Sequence, residues 1–409
     1  MSSEPFIDVR MKGFRERSAV ADILRLIDMR TAPLGAERVP SVNAAGRVLA
    51  ENIVSPVDVP GFARAAMDGF AVRAADNAPL RVVGTALPGQ PFAGTLQPGC
   101  AVRIMTGAPI PAGADAIVRA EQATELNGEV RFEPEAIPGK HIVRVGEDVA
   151  KGSEVLAPGR RLRPQDLGLL AAIGVASVGV LKQPRVAILV TGDELLSPGS
   201  VPSGTRIVDS NSPMLAALIA RDGGIVLGIR YVADRFEAVR EAIRTANADV
   251  ILVSGGSSVG QEDHAPRAVA ELGELAVHGI AMKPGAPAGV GFLRDPDRVA
   301  FLLPGNPVSC LCAYDLFAGR AVRLLGGRSG EMPYRTVLLP LAAPLASAVG
   351  RVDYVRVRIV DGRVEPIAAG ASNLGSTVAA DGFVLVPAER ETLPAGEPVE
   401  VHLYDADPH

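Results

Sequence analysis

The chain has 409 residues, enough for roughly two to four domains at about 150 residues each. Its composition, 48% hydrophobic and 21% charged, is that of an ordinary globular protein and excludes wholesale disorder. A net charge of −5 with no basic cluster excludes backbone-driven nucleic-acid binding, which needs a cationic footprint. The 44 glycines and 33 prolines follow no G-X-Y period, so they predict turns, short strands and loops. The longest uncharged apolar stretch, Leu167–Leu181, falls short of the roughly 20 residues of a bilayer span, so no membrane partner is expected. The N-terminal MSSEPFIDVRMKGFRER places charges where an export signal needs an apolar run. Cys100, Cys310 and Cys312 cannot all pair, and Cys310-x-Cys312 is too close for C-x-x-C chemistry. A reduced, cytoplasmic protein is expected.

Ser18 followed by Val20, Ile23, Leu24 and Ile27 predicts a capped amphipathic helix. Residues 51–144 change to short β-rich runs, Leu80–Val83, Ala101–Ile104, Asp115–Arg119 and Glu129–Phe132, separated by Gly/Pro turns. Residues 145–182 return to a helical pattern around Pro164-Gln-Asp-Leu-Gly and could rejoin residues 1–50 in a discontinuous helical N-terminal domain. Residues 183–326 alternate apolar strands (Arg185–Val190, Ile225–Tyr231, Val250–Val253, Leu275–Met282, Val299–Leu303) with helical stretches. One helix has Ser212 as its cap and Pro213 first, burying Leu215, Leu218 and Ile219; another groups Phe236, Val239 and Ile243. This pattern predicts a mostly parallel sheet with helices on both faces. Residues 327–409 read as a small C-terminal β domain with a hairpin at Asp361-Gly362.

In an open α/β sheet, ligands bind beyond the carboxyl ends of the strands, and three unusual loops fall there. They are Thr191-Gly192-Asp193-Glu194, Gly255-Gly256-Ser257-Ser258-Val259-Gly260 running on to Asp263, and Pro304-Gly305-Asn306-Pro307-Val308-Ser309. The middle loop reads either as a tight turn or as a phosphate cradle of backbone N–H groups. Gln261 stands where a Walker A loop needs lysine. Carboxylates beside these loops suit Mg²⁺ bridging to phosphate oxygens, or simple helix capping. Taken alone, Asp68-Gly69 reads as a turn. The five histidines form no HExxH, and no nucleophile elbow is present, so zinc-protease and serine-hydrolase chemistry find no motif.

Seven segments then fall in one order: PGFARAAMDGFAV, IMTGAPIPAGADAIVRAEQ, VRVGEDVAKG with PQDLGLLAAIGV, VTGDEL, SGGSSVGQEDH, MKPGAP and LPGNPVS. This order resembles the MoeA family of molybdopterin molybdenumtransferases, related to the second catalytic domain of gephyrin, over essentially the whole chain. The resemblance implies a four-part chain: residues 1–50 with 145–182, a β-rich domain at 51–144, an α/β molybdopterin-binding domain at 183–326, and a C-terminal β-barrel at 327–409. It implies an enzyme that takes adenylylated molybdopterin and molybdate and, with Mg²⁺, releases AMP and molybdenum-loaded cofactor. It further implies a homodimer with a site shared between subunits, and contacts with a molybdopterin adenylyltransferase and with recipient molybdoenzymes.

Carried over by motif, Asp68, Thr106, Glu194, Asp263 and Lys283 are the catalytic candidates. Glu194, Asp263 and, less directly, Asp234 are the metal candidates. The loop residues Thr191, Gly192, Asp193, Gly255, Gly256, Ser257, Ser258, Gly260, Pro304, Gly305, Asn306, Pro307 and Ser309 form the substrate cradle. The chain departs from the family at Gly279 and Ala286, where lysines are frequent, and at Ala63, where an acid is common; Arg64 or Arg351 could compensate. Two other readings follow from these departures and from the α/β region: a carrier of molybdopterin or finished cofactor with reduced turnover, and an adenylyltransferase-like nucleotide enzyme. The Asp68 and Thr106 segments argue against the second.

Overall fold

A computed structural model describes residues 16–256, 263–367, 370 and 372–405. The chain forms two compact units, one from the N-terminal stretch through Glu37 together with Leu181 onward, the other from Arg38 to Val180.

The first unit begins with α1 (Val20–Arg30), which buries Val20, Ile23 and Ile27. Ser18 is not its cap. The N-cap is Ala19, with no side-chain bond, while Ser18 donates its N–H to the Gly279 carbonyl at 3.1 Å and bridges to Ile280. The apolar stripe of α1 enters the α/β core rather than joining residues 145–182. The central sheet contains β1 (Arg185–Thr191), β2 (Ile225–Val232), β3 (Val250–Ser254), β4 (Gly273–His278), β6 (Gly289–Leu293) and β7 (Arg298–Leu303). The short β5 (Met282–Lys283) lies apart from it. The order is β2-β1-β3-β7-β6-β4. The first four strands are mutually parallel, as expected; β6 and β4 then pair antiparallel. The run 275–282 is not one strand: it breaks into β4 and β5, and the Gly-rich β6 comes between β4 and β7, so β4 points the same way as β7 but pairs antiparallel with β6.

Alternation along the inner strands sends side chains to two cores, because successive residues face opposite sides. Ile188, Leu252 and Phe301 pack with α1, α2 (Asn211–Asp222), α5 (Pro307–Ala313) and α6 (Gly319–Leu325), whereas Leu189, Ile251 and Ala300 pack with α3 (Phe236–Thr245) and α4 (Ala265–Leu272). Each buried Leu or Ile contributes on the order of 1.5–3 kcal/mol of transfer free energy. Helix α2 has its predicted face, with Leu215 and Ile219 buried. Its cap differs: the Asp209 carboxylate accepts from the N–H groups of Asn211 and Ser212 at 2.9 and 3.1 Å.

After β7 and α5 a π-helical turn, Tyr314–Ala318, precedes α6. The C-terminal strands are β8 (Arg335–Pro340), β9 (Val352–Val360), β10 (Arg363–Pro366), β11 (Gly382–Val386) and β12 (Pro398–Leu403), with the short helix α7 (Leu374–Val378) before β11. Pairing follows β5-β9-β11-β12-β8, with β10 on β9. The end of β8 returns to β10, where Leu341 bridges to Val364 and the Ala342 N–H donates to the Val364 carbonyl at 2.8 Å. The β9–β10 hairpin turns at Asp361 and Gly362, φ 49° and 71°, as the Asp-Gly signal predicts.

In the second unit, six strands pair in the order Ala116–Arg119, Gly69–Val72, Cys100–Ile104, Leu80–Ala86, Glu129–Phe132, Ala123–Leu126. The β-rich reading of this region holds. A separate core joins Ala44, Leu49 and Ile53 to Leu156, Leu162, Leu170 and Val178, so residues 38–53 and 149–180 do come together. Little of that core is helical: Pro164–Ala172 is its α-helix, and the pairing of Ile53–Val54 with Glu154–Leu156 is strand. The helix starts where Asp166 accepts from the Arg163 N–H at 2.9 Å and from Arg160.

Candidate functional site

The parallel strands β1, β3 and β7 end at Thr191, Ser254 and Leu303, and the three singled-out loops leave from these ends. They line one cleft of about 650 Å³ together with Asp209–Asn211 and Asp234. Gly255 stitches the strand ends together, donating its N–H to the Leu303 carbonyl at 3.0 Å. Its φ is +90°, and a Cβ there would sit 2.5 Å from the Thr191 carbonyl oxygen, so the position requires glycine. Asn211 makes a second tie: its side-chain amide donates to Ser254 Oγ at 3.0 Å and to the Gly305 carbonyl at 2.9 Å.

Among the described residues, four carboxylates line this cleft, Glu194, Asp209, Asp234 and Asp263, and no lysine or arginine does. Asp209 is committed structurally: besides capping α2, it accepts from Ser212 Oγ and from the Tyr231 hydroxyl. Among the described residues, no three acidic, His or Cys side chains are close enough to hold a metal by themselves. That donor set fits Mg²⁺, which takes one or two carboxylates and completes its shell with water and substrate phosphate oxygens.

Thr191, Gly192, Glu194, Asp234, Gly255, Gly256, Asp263, Pro304, Gly305, Asn306 and Pro307 all reach the cleft. Asp193 does not line it; its carboxylate and that of Asp234 accept backbone N–H groups reciprocally, at 3.4 and 3.2 Å, tying the loops after β1 and β2. Ser257, Ser258 and Gly260 lie outside the described residues.

Lys283 and Ser309 belong to a neighbouring pocket of about 660 Å³ that shares Pro287, Pro304 and Asn306 with the cleft. Its far wall is β9, which contributes Asp353, Tyr354, Val355 and Arg356. Parallel pairing of β5 with β9 sets Lys283 opposite Asp353. Arg356 is 4% exposed and donates from Nη1 to Ser376 Oγ at 2.9 Å. Arg351 neutralises Asp353 across 2.8 Å, so the two cations dominate this pocket.

The two positions where family lysines are missing have different local reasons. Gly279 has φ +92°, a conformation that costs a residue with a Cβ about 1–2 kcal/mol. Ala286 lines the pocket beside Lys283. Arg356, Asp209 and Asn211 are absent from the sequence reading. An Asp two and three residues before helical N–H groups is a capping signal that points to Asp209; nothing local marks Arg356, which sits in an ordinary alternating strand.

In the second unit, Asp68 and Thr106, 38 positions apart, come together. Asp68 precedes the strand Gly69–Val72, and Thr106 follows Cys100–Ile104, its antiparallel neighbour. Asp68 Oδ1 accepts from the Thr106 N–H at 2.6 Å and from its hydroxyl at 2.7 Å. These two bonds hold the exposed carboxyl below its ordinary range. Cys310 and Cys312 lie buried on α5, and burial pushes the Cys310 thiol up to about 12.

Three family models match in order: "MoeA N-terminal region (domain I and II)" over residues 18–174, "Probable molybdopterin binding domain" over 187–323, and "MoeA C-terminal region (domain IV)" over 339–404. The chain is 36% identical to molybdopterin molybdenumtransferase 2 of Mycobacterium tuberculosis, covering 96% of this chain and 99% of the relative. It is 34% identical to the molybdopterin molybdenumtransferase of Haemophilus influenzae, covering 93% and 97%. The crystal structure of the molybdopterin biosynthesis MoeA protein from Pyrococcus horikoshii superposes with a TM-score of 0.79 at 33% identity, over 96% of this chain and 100% of that one. With three family models matched in order, relatives similar over nearly the whole length, and a fold shared at the same coverage, the chain belongs to the MoeA family of molybdopterin molybdenumtransferases, enzymes of molybdenum cofactor biosynthesis.

Proposed function

We propose that this chain takes adenylylated molybdopterin and molybdate, cleaves the phosphoanhydride, and releases AMP and molybdenum-loaded cofactor. The observation that carries the reading is the pairing of an acidic cleft with a cationic pocket across the shared Pro287, Pro304 and Asn306 wall. A pyrophosphate in a cleft lined, among the described residues, by carboxylates and by no cation needs its charge neutralised from outside the protein. Mg²⁺ taken by one or two of the carboxylates Glu194, Asp234 and Asp263 would supply that neutralisation and polarise the phosphoanhydride.

Lys283 and Arg356 hold the molybdate dianion with charge-assisted hydrogen bonds, and Ser309 offers a further donor. Gly256 presents its backbone N–H to the phosphates, and Gly255, whose own N–H is bound to the Leu303 carbonyl, lets the backbone approach them closely. Asp68, kept ionised by Thr106, orients the molybdate or the pterin end of the substrate. The active form is a homodimer in which the Asp68 element of one protomer serves the cleft of its partner. The four-part division at residues 50, 144, 182 and 326 goes with that assembly.

The test is AMP release from adenylylated molybdopterin with Mg²⁺, with and without molybdate. Molybdate-dependent release is the expected result. Tight substrate binding without release would replace the transferase by a carrier, the reading favoured by Gly279 and Ala286.

A further inference from the structure

The Lys283 pocket has two walls from separate parts of the first unit. One is the Pro304–Ser309 loop running into α5, and the other is β9 with Arg356. A wholly buried carboxylate spans them. The π-helical turn that continues α5 carries Asp315, which is 0% exposed. Its oxygens accept from Arg221 Nη2 at 3.0 Å, from the Tyr334 hydroxyl at 3.0 and 2.9 Å, and from the Tyr354 hydroxyl at 3.3 Å. Tyr354 lies on β9 two residues before Arg356. Its ring stacks on Phe383 at 3.9 Å, and its hydroxyl also meets that of Tyr404 at 3.0 Å.

Lys283 is fixed by the same strand, through the pairing of β5 with β9. Any shift of β9 against α5 therefore moves Arg356 and Lys283 together, away from Ser309. A buried charge costs several kcal/mol of desolvation unless it is fully bonded, and a hydrophobic seam would join the two elements without that cost. A fan of directed bonds supplies something a hydrophobic seam does not, a fixed angle and register between the walls.

We propose that Asp315 is a positioning residue for the oxyanion pocket: through Tyr354 it locks β9 onto the π-helical turn so that Arg356 and Lys283 face Ser309 at the spacing the oxyanion needs. The inference rests on the assignment of molybdate to that pocket. It names a group that never touches substrate and acts on one substrate and not the other.

Three variants test it: Asp315→Asn, Tyr354→Phe, which keeps the ring and its stack, and Lys283→Ala as the pocket control. For each, the KM for molybdate and for adenylylated molybdopterin is measured, with molybdate binding by calorimetry. Tyr354→Phe and Asp315→Asn are expected to raise the molybdate KM and dissociation constant roughly three- to tenfold, the loss of one or two buried hydrogen bonds. The KM for adenylylated molybdopterin should change less than about twofold. Should Asp315→Asn fail to fold, Tyr354→Phe carries the test. Weaker molybdate binding in Lys283→Ala with no change in Tyr354→Phe overturns the positioning role alone. Equal losses for both substrates in Tyr354→Phe also overturn it, as the mark of a merely structural contact. Unchanged molybdate binding in all three overturns the pocket assignment and the positioning role with it.

Discussion

The acidic cleft and the cationic pocket are neighbours of almost equal volume, about 650 and 660 Å³, and they solve opposite electrostatic problems. The cleft lies at the carboxyl ends of parallel strands and, among the described residues, is lined by carboxylates without a cation. The pocket lies where the α/β sheet's loops meet β9 and has Lys283 and Arg356 in its lining. The same short segment, Pro304–Ser309, reaches both. A dianion can bind the pocket using protein charges alone, whereas a pyrophosphate can enter the cleft only with its own counter-ion. In the proposed reaction one loop would serve two anions by two different means of neutralisation.

The largest effect that would break this contrast is expected at Asp263. Replacing it by Asn should lower AMP release roughly 10²-fold at limiting Mg²⁺, through loss of a metal ligand. Molybdate binding and the circular dichroism spectrum should stay unchanged. Equal turnover across a Mg²⁺ titration would remove the metal from the cleft. The converse experiment is Lys283→Ala. It removes one charge-assisted hydrogen bond, expected to weaken molybdate about 10- to 100-fold while leaving the Mg²⁺ dependence alone. Coupled loss of both would mean that the two sites act as one.

A smaller effect is expected at Asn211, which ties Ser254 to Gly305 at the back of the cleft. Asn211→Ala leaves the buried Ser254 hydroxyl without its donor and should cost about 1–3 kcal/mol in urea unfolding, with no change in the molybdate dissociation constant. A variant as stable as the parent would show that the tie is idle. The smallest effect is expected at Thr106→Val, which removes one of the two bonds to Asp68. The folded carboxyl now lies below its ordinary value, so its ionised form is favoured and is lost only as pH falls. Removing the hydroxyl moves that titration upward, toward the ordinary range, with the Thr106 N–H still holding part of the depression. A carboxyl-carbon NMR titration reads it, and an unmoved midpoint would leave the backbone bond as the whole cause.

Local chemistry in the sequence carried much of this. Thr191-Gly192, Gly255-Gly256 and Pro304-Gly305 were recognisable as strand-end loops because continuous apolar runs lead into them, and a parallel strand feeds its loop to one edge. Asp361-Gly362 announced its hairpin, since only that kind of pair accepts two positive φ angles cheaply. The cap of α2 went to Asp209 and not Ser212 because several polar residues in a row could each have reached the helix N-terminus, and burial beneath Tyr231 selected one. The run after Leu272 could not reveal that β6 would pair antiparallel between β7 and β4, since alternation reports which faces are apolar and says nothing about neighbours.

What the sequence determined by itself was the inventory: an α/β protein with β-rich additions, three glycine loops at one sheet edge, and carboxylates beside them. Tertiary structure alone decided which of these meet. Lys283 and Arg356, 73 positions apart, line one pocket because β5 pairs with β9. Asp68 and Thr106 form one hydrogen-bonded unit because their strands are neighbours. Loop chemistry depends on a few adjacent residues and is written locally. Charge pairing depends on strand register and on burial between distant segments, which no short stretch of chain contains.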